Sequence, residues 1–354
     1  MEKERVIYPK FLMDSISGSD ALSQLAALLD ACFQVSPGER FLNDFPVWDP
    51  TFGSSLSILR LGIFYENQLI SATSIRICQL KTIENRTIVI ALIGATATHP
   101  DWRGRGFASH TVTVATQWAE EHGATAVFLW GSEHSLYQQL GFELCGYQMR
   151  IPLSQIEYPS KPSKELKLGW HSKIFDLMKL RKSGLNLKES DRKWLEAHKN
   201  VQWFYTEHLD QPLAYVAFQR GIDLQLLVHE WGGPIDEVLG IFEKIYKLNL
   251  GAMLLISPDQ VNSMGISAAH IQKESLCLAK ILDPSSILSS YYPQFPIQCS
   301  YQDKRWEIHC GLDQFSHLTE RKLTKLFFGS PEKGNLVTPS LFPLPLWFWG
   351  LDTA

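Results

Sequence analysis

The chain has 354 residues, 45% of them hydrophobic and 20% charged, with a formal net charge of -4. At about 150 residues per domain the length predicts two domains, and the apolar content excludes an intrinsically disordered chain. The slight negative charge gives no overall pull toward nucleic acid, and no run reaches the roughly 18 apolar residues of a membrane span.

The N-terminus, Met1-Glu2-Lys3-Glu4-Arg5, leads into no apolar segment and does not read as a secretory signal. Cys32, Cys78, Cys145, Cys277, Cys299 and Cys310 lie far apart with no C-x-x-C spacing. Free thiols in a reducing cytoplasm and no structural metal are expected.

Along the first half, strand and helix signals alternate. Apolar residues at Leu22, Leu25, Leu28, Leu29 and Cys32 mark a helix, and Leu56–Phe64 and Gln68–Ile77 read as strands turning near Glu66-Asn67. Thr87–Thr98 is a strongly β-prone run stopped at His99-Pro100. Phe107–His122 reads as a helix with Ala108, Val112, Ala115 and Trp118 on one face and Gly123 beyond its end. Ala124–Trp130 and Phe142–Ile151 are further strands.

From Pro152 to Leu168 prolines, serines and lysines replace the hydrophobic pattern, which marks the domain boundary. Helices are expected over 174–182 and 191–198. Strands follow at 201–207, 213–220 and 224–231, the first two joined by a turn at Asp210-Gln211-Pro212. A helix from Pro234 to Leu248 and a strand at 252–257 complete an order that echoes the first half. The remainder holds a strand-like stretch at 297–309, a helix at 319–328 and a Pro-rich tail.

The stretch that carries chemistry is Thr96-Ala-Thr-His-Pro-Asp-Trp-Arg-Gly-Arg-Gly-Phe-Ala-Ser109. A strand delivers the chain to Pro100, and Arg103-Gly104-Arg105-Gly106-Phe107-Ala108 then opens a helix. Backbone amides at such a glycine turn approach a phosphate closely, and the unpaired amides and dipole of the helix start favour an anion. A P-loop is excluded because no Lys-Ser/Thr follows Gly106. A dinucleotide fingerprint has Ser109 in place of its third glycine and no acid in the following strand. The bland alternative is a tight turn with solvated arginines.

Arg-x-x-Gly-x-Ala between strand and helix, then the strand Ala126–Trp130, then Tyr137-x-x-x-Gly141-Phe142, resembles the GCN5-related N-acetyltransferase (GNAT) superfamily over about residues 10–152. The resemblance implies that the strand end at Thr96, Ala97 and Thr98 splays from its neighbour to pair with the pantetheine arm of acetyl-CoA. It implies a pyrophosphate on the turn of Arg103, Gly104, Arg105, Gly106, Phe107, Ala108 and Ser109, with Ser132 and Glu133 bordering the arm. Tyr137 aligns with the general acid for the departing CoA thiolate, a role that a phenol suits; the bland alternative is a ring that simply packs before the Gly-Phe turn. Glu133 and His134 are weaker candidates for a base, and His99 reads as a turn residue.

The second half resembles a degenerate GNAT-like domain, since His229-Glu230-Trp231-Gly232-Gly233 replaces the phosphate turn without arginines. Tandem arrangements of this kind resemble the Eis-like acetyltransferases and the N-myristoyltransferases. The expected architecture is therefore α/β, with tandem GNAT-like domains of mixed sheets flanked by helices and a small C-terminal extension. Its parts are 1–155 with the acetyl-CoA site, 165–275, and 276–354. Trp203, Phe204, Tyr205 and Trp231 are expected in the core.

The tail rings Trp347, Phe348 and Trp349 are too apolar to leave in water and should dock as an edge strand or loop. By the resemblance, the carboxylate of Ala354, or else Asp352, accepts the amine proton; the bland alternative is a purely structural clamp. The expected activity is acetyl-CoA-dependent N-acetylation of a small-molecule or peptide amine, with no metal, nucleic acid or membrane partner. The alternative is a non-catalytic acetyl-CoA sensor.

Overall fold

The β-branched and aromatic runs between positions 58 and 98 pair as an antiparallel meander, as their patterning predicts. The computed structural model describes residues 11–33, 35, 38–55, 57–159, 164–264, 271–329 and 341–353. Its first half comprises β1 (Phe11–Ser15), α1 (Ser19–Cys32), α2 (Phe41–Asp44), β2 (Ile58–Tyr65), β3 (Gln68–Lys81), β4 (Thr87–Thr98), α3 (Phe107–Glu121), β5 (Ala126–Leu129), α4 (His134–Gln139) and β6 (Glu143–Pro152). The second comprises β7 (Lys167–Leu168), α5 (Ile174–Lys179), α6 (Arg192–Glu196), β8 (Gln202–His208), β9 (Gln211–Arg220), β10 (Asp223–Gly232), α7 (Ile235–Leu248), β11 (Met253–Ile256), α8 (Pro258–Ser263) and β12 (Gln272–Ile281). After it come α9 (Pro284–Tyr291), β13 (Ile297–Gln302), β14 (Arg305–Cys310), β15 (Asp313–Leu318) and α10 (Glu320–Phe328).

Twelve strands form one continuous sheet in the order β1-β2-β3-β4-β5-β12-β6-β11-β10-β9-β8-β7. Read inward from either edge the order is the same, five strands in sequence and then the last strand of the other half. β5 thus pairs with β12, and β11 with β6. The parallel pairs among the described strands are β4–β5 and β10–β11, one in each half. At the centre β6 and β12 run antiparallel, with Cys145 opposite Cys277 and their Sγ atoms 3.7 Å apart.

Gln272–Ile281, on either side of position 275, is a strand of the main sheet. The 297–309 stretch is a hairpin, because Asp303 and Lys304 take positive φ and reverse the chain. Likewise the turn expected at Asp210-Gln211-Pro212 is made by Leu209 and Asp210, both at positive φ, and Pro212 already lies in β9. The Pro-rich change of composition does fall between β6 and β7.

Helices cover both faces of the first half. α1 buries Leu25, Leu28 and Leu29 against one face, and α3 buries Val112, Ala115 and Ala119 against the other. The buried Thr73 and Thr111 hydroxyls, 2.7 Å apart, tie α3 to β3. No helix among the described residues is long and apolar enough to cross a membrane.

Residues 341–353 contain neither strand nor helix, yet Trp347, Phe348, Trp349, Leu351 and Asp352 are buried. Phe348 packs on Phe128 of the first half, while Trp349 packs edge-on against Trp231 of the second, centroids 4.7 Å apart. The aromatic tail therefore docks as a loop across both halves. Trp203, Phe204 and Trp231 belong to the core, and Tyr205 packs at its margin.

Candidate active site

β4 and β5 pair in register only from Ile90↔Ala126 to Ile93↔Leu129. Beyond that rung β4 bulges. Ala95 has φ +53°, and pairing with β3 slips so that Gly94 faces Ser74 while Ala97 faces Ala72. A bulge bends its strand and sharpens the local twist. The last residues of β4, Thr96, Ala97 and Thr98, thus leave β5 and present to a wedge an edge paired with no strand on that side, the Thr98 carbonyl accepting from Arg103 Nε and Cys32 Sγ.

Past β4 the chain makes the glycine turn. Gly104 and Gly106 have φ +75° and +81°, and a Cβ at either would meet nothing within 4 Å, so the turn is an open cradle. Gly106 is the N-cap of α3 without a side-chain cap. Among the described residues, no amide from Gly104 to Ser109 donates a hydrogen bond to protein. A run of free amides at a helix start is what a pyrophosphate requires.

The two arginines are placed by different contacts. Arg103 Nε donates to the Thr98 carbonyl at 3.1 Å, and the Arg105 guanidinium lies 4.6 Å from the Trp102 ring centroid. Phe107 packs on Phe11, and Ala108 and Ser109 continue the first turn of α3. The comparable place in the second half is closed, since a Cβ at Gly233 would stand 2.5 Å from the Leu213 carbonyl oxygen.

On the opposite flank of the wedge, α4 carries Tyr137 inward, only 8% exposed. Its ring lies against Gly131. A Cβ there would stand 2.8 Å from Tyr137 Cε2 and 3.2 Å from the phenol oxygen, so only glycine fits. Burial raises the phenol above its ordinary pKa, with the Thr96 hydroxyl pulling it down and Glu133 adding to the rise. Tyr137, Thr96 and Glu133 therefore converge. Ser132, Glu133 and His134 are exposed at the rim. His99 is a turn residue, its Nδ1 accepting from the Asp101 amide at 3.3 Å.

A cleft of about 740 Å³ opens between the halves, lined by Phe33, Glu39 and Asp44 on one side and Asn200, Gln202 and Gln219 on the other. Lys199 also lines it, and Cys32, next to Phe33 in sequence, donates from Sγ to the Thr98 carbonyl at 3.4 Å. Asn200 Nδ2 donates to both Asp44 and Glu39, at 2.7 and 3.0 Å.

Ala354 lies outside the described residues. Asp352, the other carboxylate expected as a base, is fully engaged. Oδ1 accepts from Arg181 and Oδ2 from the Leu185 and Trp349 amides. Arg181 also binds Glu230, which the Tyr215 hydroxyl contacts at 3.2 Å. This buried network was missed in the sequence, where its members lie far apart. No group of three or more His, Cys, Asp or Glu among the described residues is placed to hold a metal, and the cysteines are free.

A splayed parallel pair above an open amide cradle defines the class: an acyltransferase that uses acyl-CoA as donor. The whole chain shares the fold of solved GCN5-related N-acetyltransferases, an Eis protein among them. The acetyltransferase (GNAT) domain family matches residues 16–145. Similar solved structures include a probable N-acyltransferase of unknown function from Enterococcus faecalis, at 14% identity and TM-score 0.64, covering 90% of this chain and 89% of that one. A GCN5-related N-acetyltransferase from Anabaena variabilis is 16% identical with TM-score 0.58, covering 88% and 85%. The Eis protein of Mycobacterium abscessus is 12% identical with TM-score 0.56, covering 86% and 84%. No curated protein matches by sequence.

Proposed function

We propose that the protein transfers an acetyl group from acetyl-CoA to a primary amine by direct attack, with Tyr137 as the general acid. The observation that carries this reading is the convergence of the free β4 edge, the open amide cradle and the buried Tyr137 phenol on one wedge. The edge at Thr96, Ala97 and Thr98 would hydrogen-bond the pantetheine amides. The turn from Arg103 to Ser109 would hold the pyrophosphate, and Ser132 and Glu133 would flank the arm.

As the amine attacks the thioester carbonyl and the carbon–sulfur bond breaks, charge grows on sulfur. A phenol kept protonated across the neutral range donates to that charge. The acceptor is a small-molecule or peptide amine. The first half would hold the donor, and the second, with its closed glycine turn, would supply a wall for the acceptor.

The test is calorimetric titration with acetyl-CoA and CoA, followed by thiol release with a panel of diamines, aminoglycosides and peptide amines. Saturable binding with amine-dependent thiol release supports the reading. Binding without thiol release from any amine would favour a sensor instead.

A further inference from the structure

A donor lying along the free edge of β4, with its pyrophosphate at Gly104–Ser109, directs its thioester toward the apex of the wedge. The strands are zipped there by the Ile93↔Leu129 rung, so the acyl chain must leave the sheet plane. On the α3 face stands Tyr137. The opposite face is closed by aromatic rings from three distant parts of the chain.

Continuing the register, Gly94 and Trp130 would be the next pair. The Trp48 ring covers Gly94 so closely that a Cβ there would stand 2.5 Å from Cζ2 and 2.7 Å from Nε1. Phe348 lies edge-on to Trp130 and to Phe128, with both centroid separations 5.1 Å. Trp48 is 0% exposed and Phe348 1%. The buried Trp48 indole N–H has no acceptor among the described residues, and a buried donor is costly to leave unpaired. A thioester carbonyl at the apex would supply what it lacks.

We propose that Phe348 is a specificity-determining residue, the floor of the acyl subsite that limits the donor to short acyl chains. This rests on the acyl-CoA reading of the wedge. With both rings buried and packed at the apex, a lengthening acyl chain must displace Phe348. The tail thus decides chain length from outside the domain that holds the cofactor turn.

The test is binding of CoA and of acetyl-, butyryl-, hexanoyl- and octanoyl-CoA to the full chain, its Phe348→Ala and Phe348→Leu variants, and Trp347→Ala. The Trp347 ring packs on Trp349, so the last variant perturbs the tail without removing the floor. Wild-type affinity is expected to fall at least tenfold from acetyl- to octanoyl-CoA. In Phe348→Ala it should instead rise along the series, by up to about fourfold per newly buried methylene, with CoA affinity unchanged. Phe348→Leu should give an intermediate profile should the alanine variant not fold, and Trp347→Ala the wild-type profile. An unaltered chain-length profile in folded Phe348 variants would overturn the proposal, as would equal weakening of CoA and every acyl-CoA. A wild-type chain that bound CoA with no dependence on acyl length would overturn it while leaving the acyl-CoA reading intact. Absence of any CoA binding would overturn both.

Discussion

Arg181 and Asp352, 171 positions apart, meet in a buried ion pair with Nη2 3.0 Å from Oδ1. Arg181 follows α5, and Asp352 belongs to the irregular tail, so this contact pins the tail to the second half. Arg220 completes the clasp, donating to the Gly350 carbonyl at 2.8 Å and the Thr353 hydroxyl at 3.0 Å. Phe348 is thereby held against the end of β5. Replacing Asp352 with Ala leaves Arg181 with Glu230 alone and orphans the Leu185 and Trp349 amides. A loss of about 3 kcal/mol is expected, measured by urea unfolding, and Asp352→Asn should lose less because it keeps an acceptor for the amides.

Truncation after Leu344 should be costlier still. Trp347, Phe348 and Trp349 are each 5% exposed or less, and each such ring contributes roughly 2–3 kcal/mol. The truncated chain should melt at markedly lower temperature and lose acetyl-CoA turnover. Retention of the wild-type melting temperature would show the docked tail to be dispensable.

Gly106→Asp places a carboxylate beside the cradle at a residue with φ +81°. Acetyl-CoA affinity should fall at least tenfold, ~1.4 kcal/mol, while Gly106→Asn, which tolerates positive φ and adds no charge, should fall less. Equal affinities for the two folded variants and the wild type would remove the pyrophosphate from this turn.

Tyr137→Phe keeps the ring against Gly131 and removes the donor. Because the hydroxyl acts chiefly as thiolate charge develops, kcat should drop by ~10²-fold with little change in the affinity for acetyl-CoA. A kcat within twofold of wild type would make Tyr137 a packing residue.

Stability should depend on pH through buried groups of the second half. Burial lowers His198 well below its ordinary pKa and His229 to about 4, Arg220 adding to both. On acidification the unfolded chain gains these protons first, so stability falls as pH drops from 6.5 toward 4. His229 contributes roughly 3 kcal/mol to that loss. Glu230, pushed up to about 7 by burial against the pull of Arg181, acts in the opposite sense. Between its ordinary value and 7 the folded state holds a proton that the unfolded chain releases, so its contribution declines as pH rises. Unfolding titrations should show a steeper pH dependence in Glu230→Gln and a shallower one in His229→Gln.

The amino-acid sequence by itself determined the elements whose cause is local. β-branched runs made β3 and β4, the apolar stripes made α1, α3 and α7, and the glycine turn at 104–106 was legible because positive φ and the absence of a Cβ are properties of single residues. Tyr137 was legible from its spacing to Gly141-Phe142. The exchange of β6 and β12 was not, since Gln272–Ile281 carries no periodicity that distinguishes one antiparallel neighbour from another. Nor were the rings at the wedge apex. Phe348 read only as a tail ring that must dock and Trp130 as a strand end, and only the bulge at Ala95, which ends the β4–β5 ladder, makes the place where Phe348 packs on Trp130 the end of a site. Tertiary structure alone decided that meeting, because packing between residues more than 200 positions apart, Phe348 on Phe128 and Trp130, is set by the closure of the whole sheet and by no local preference.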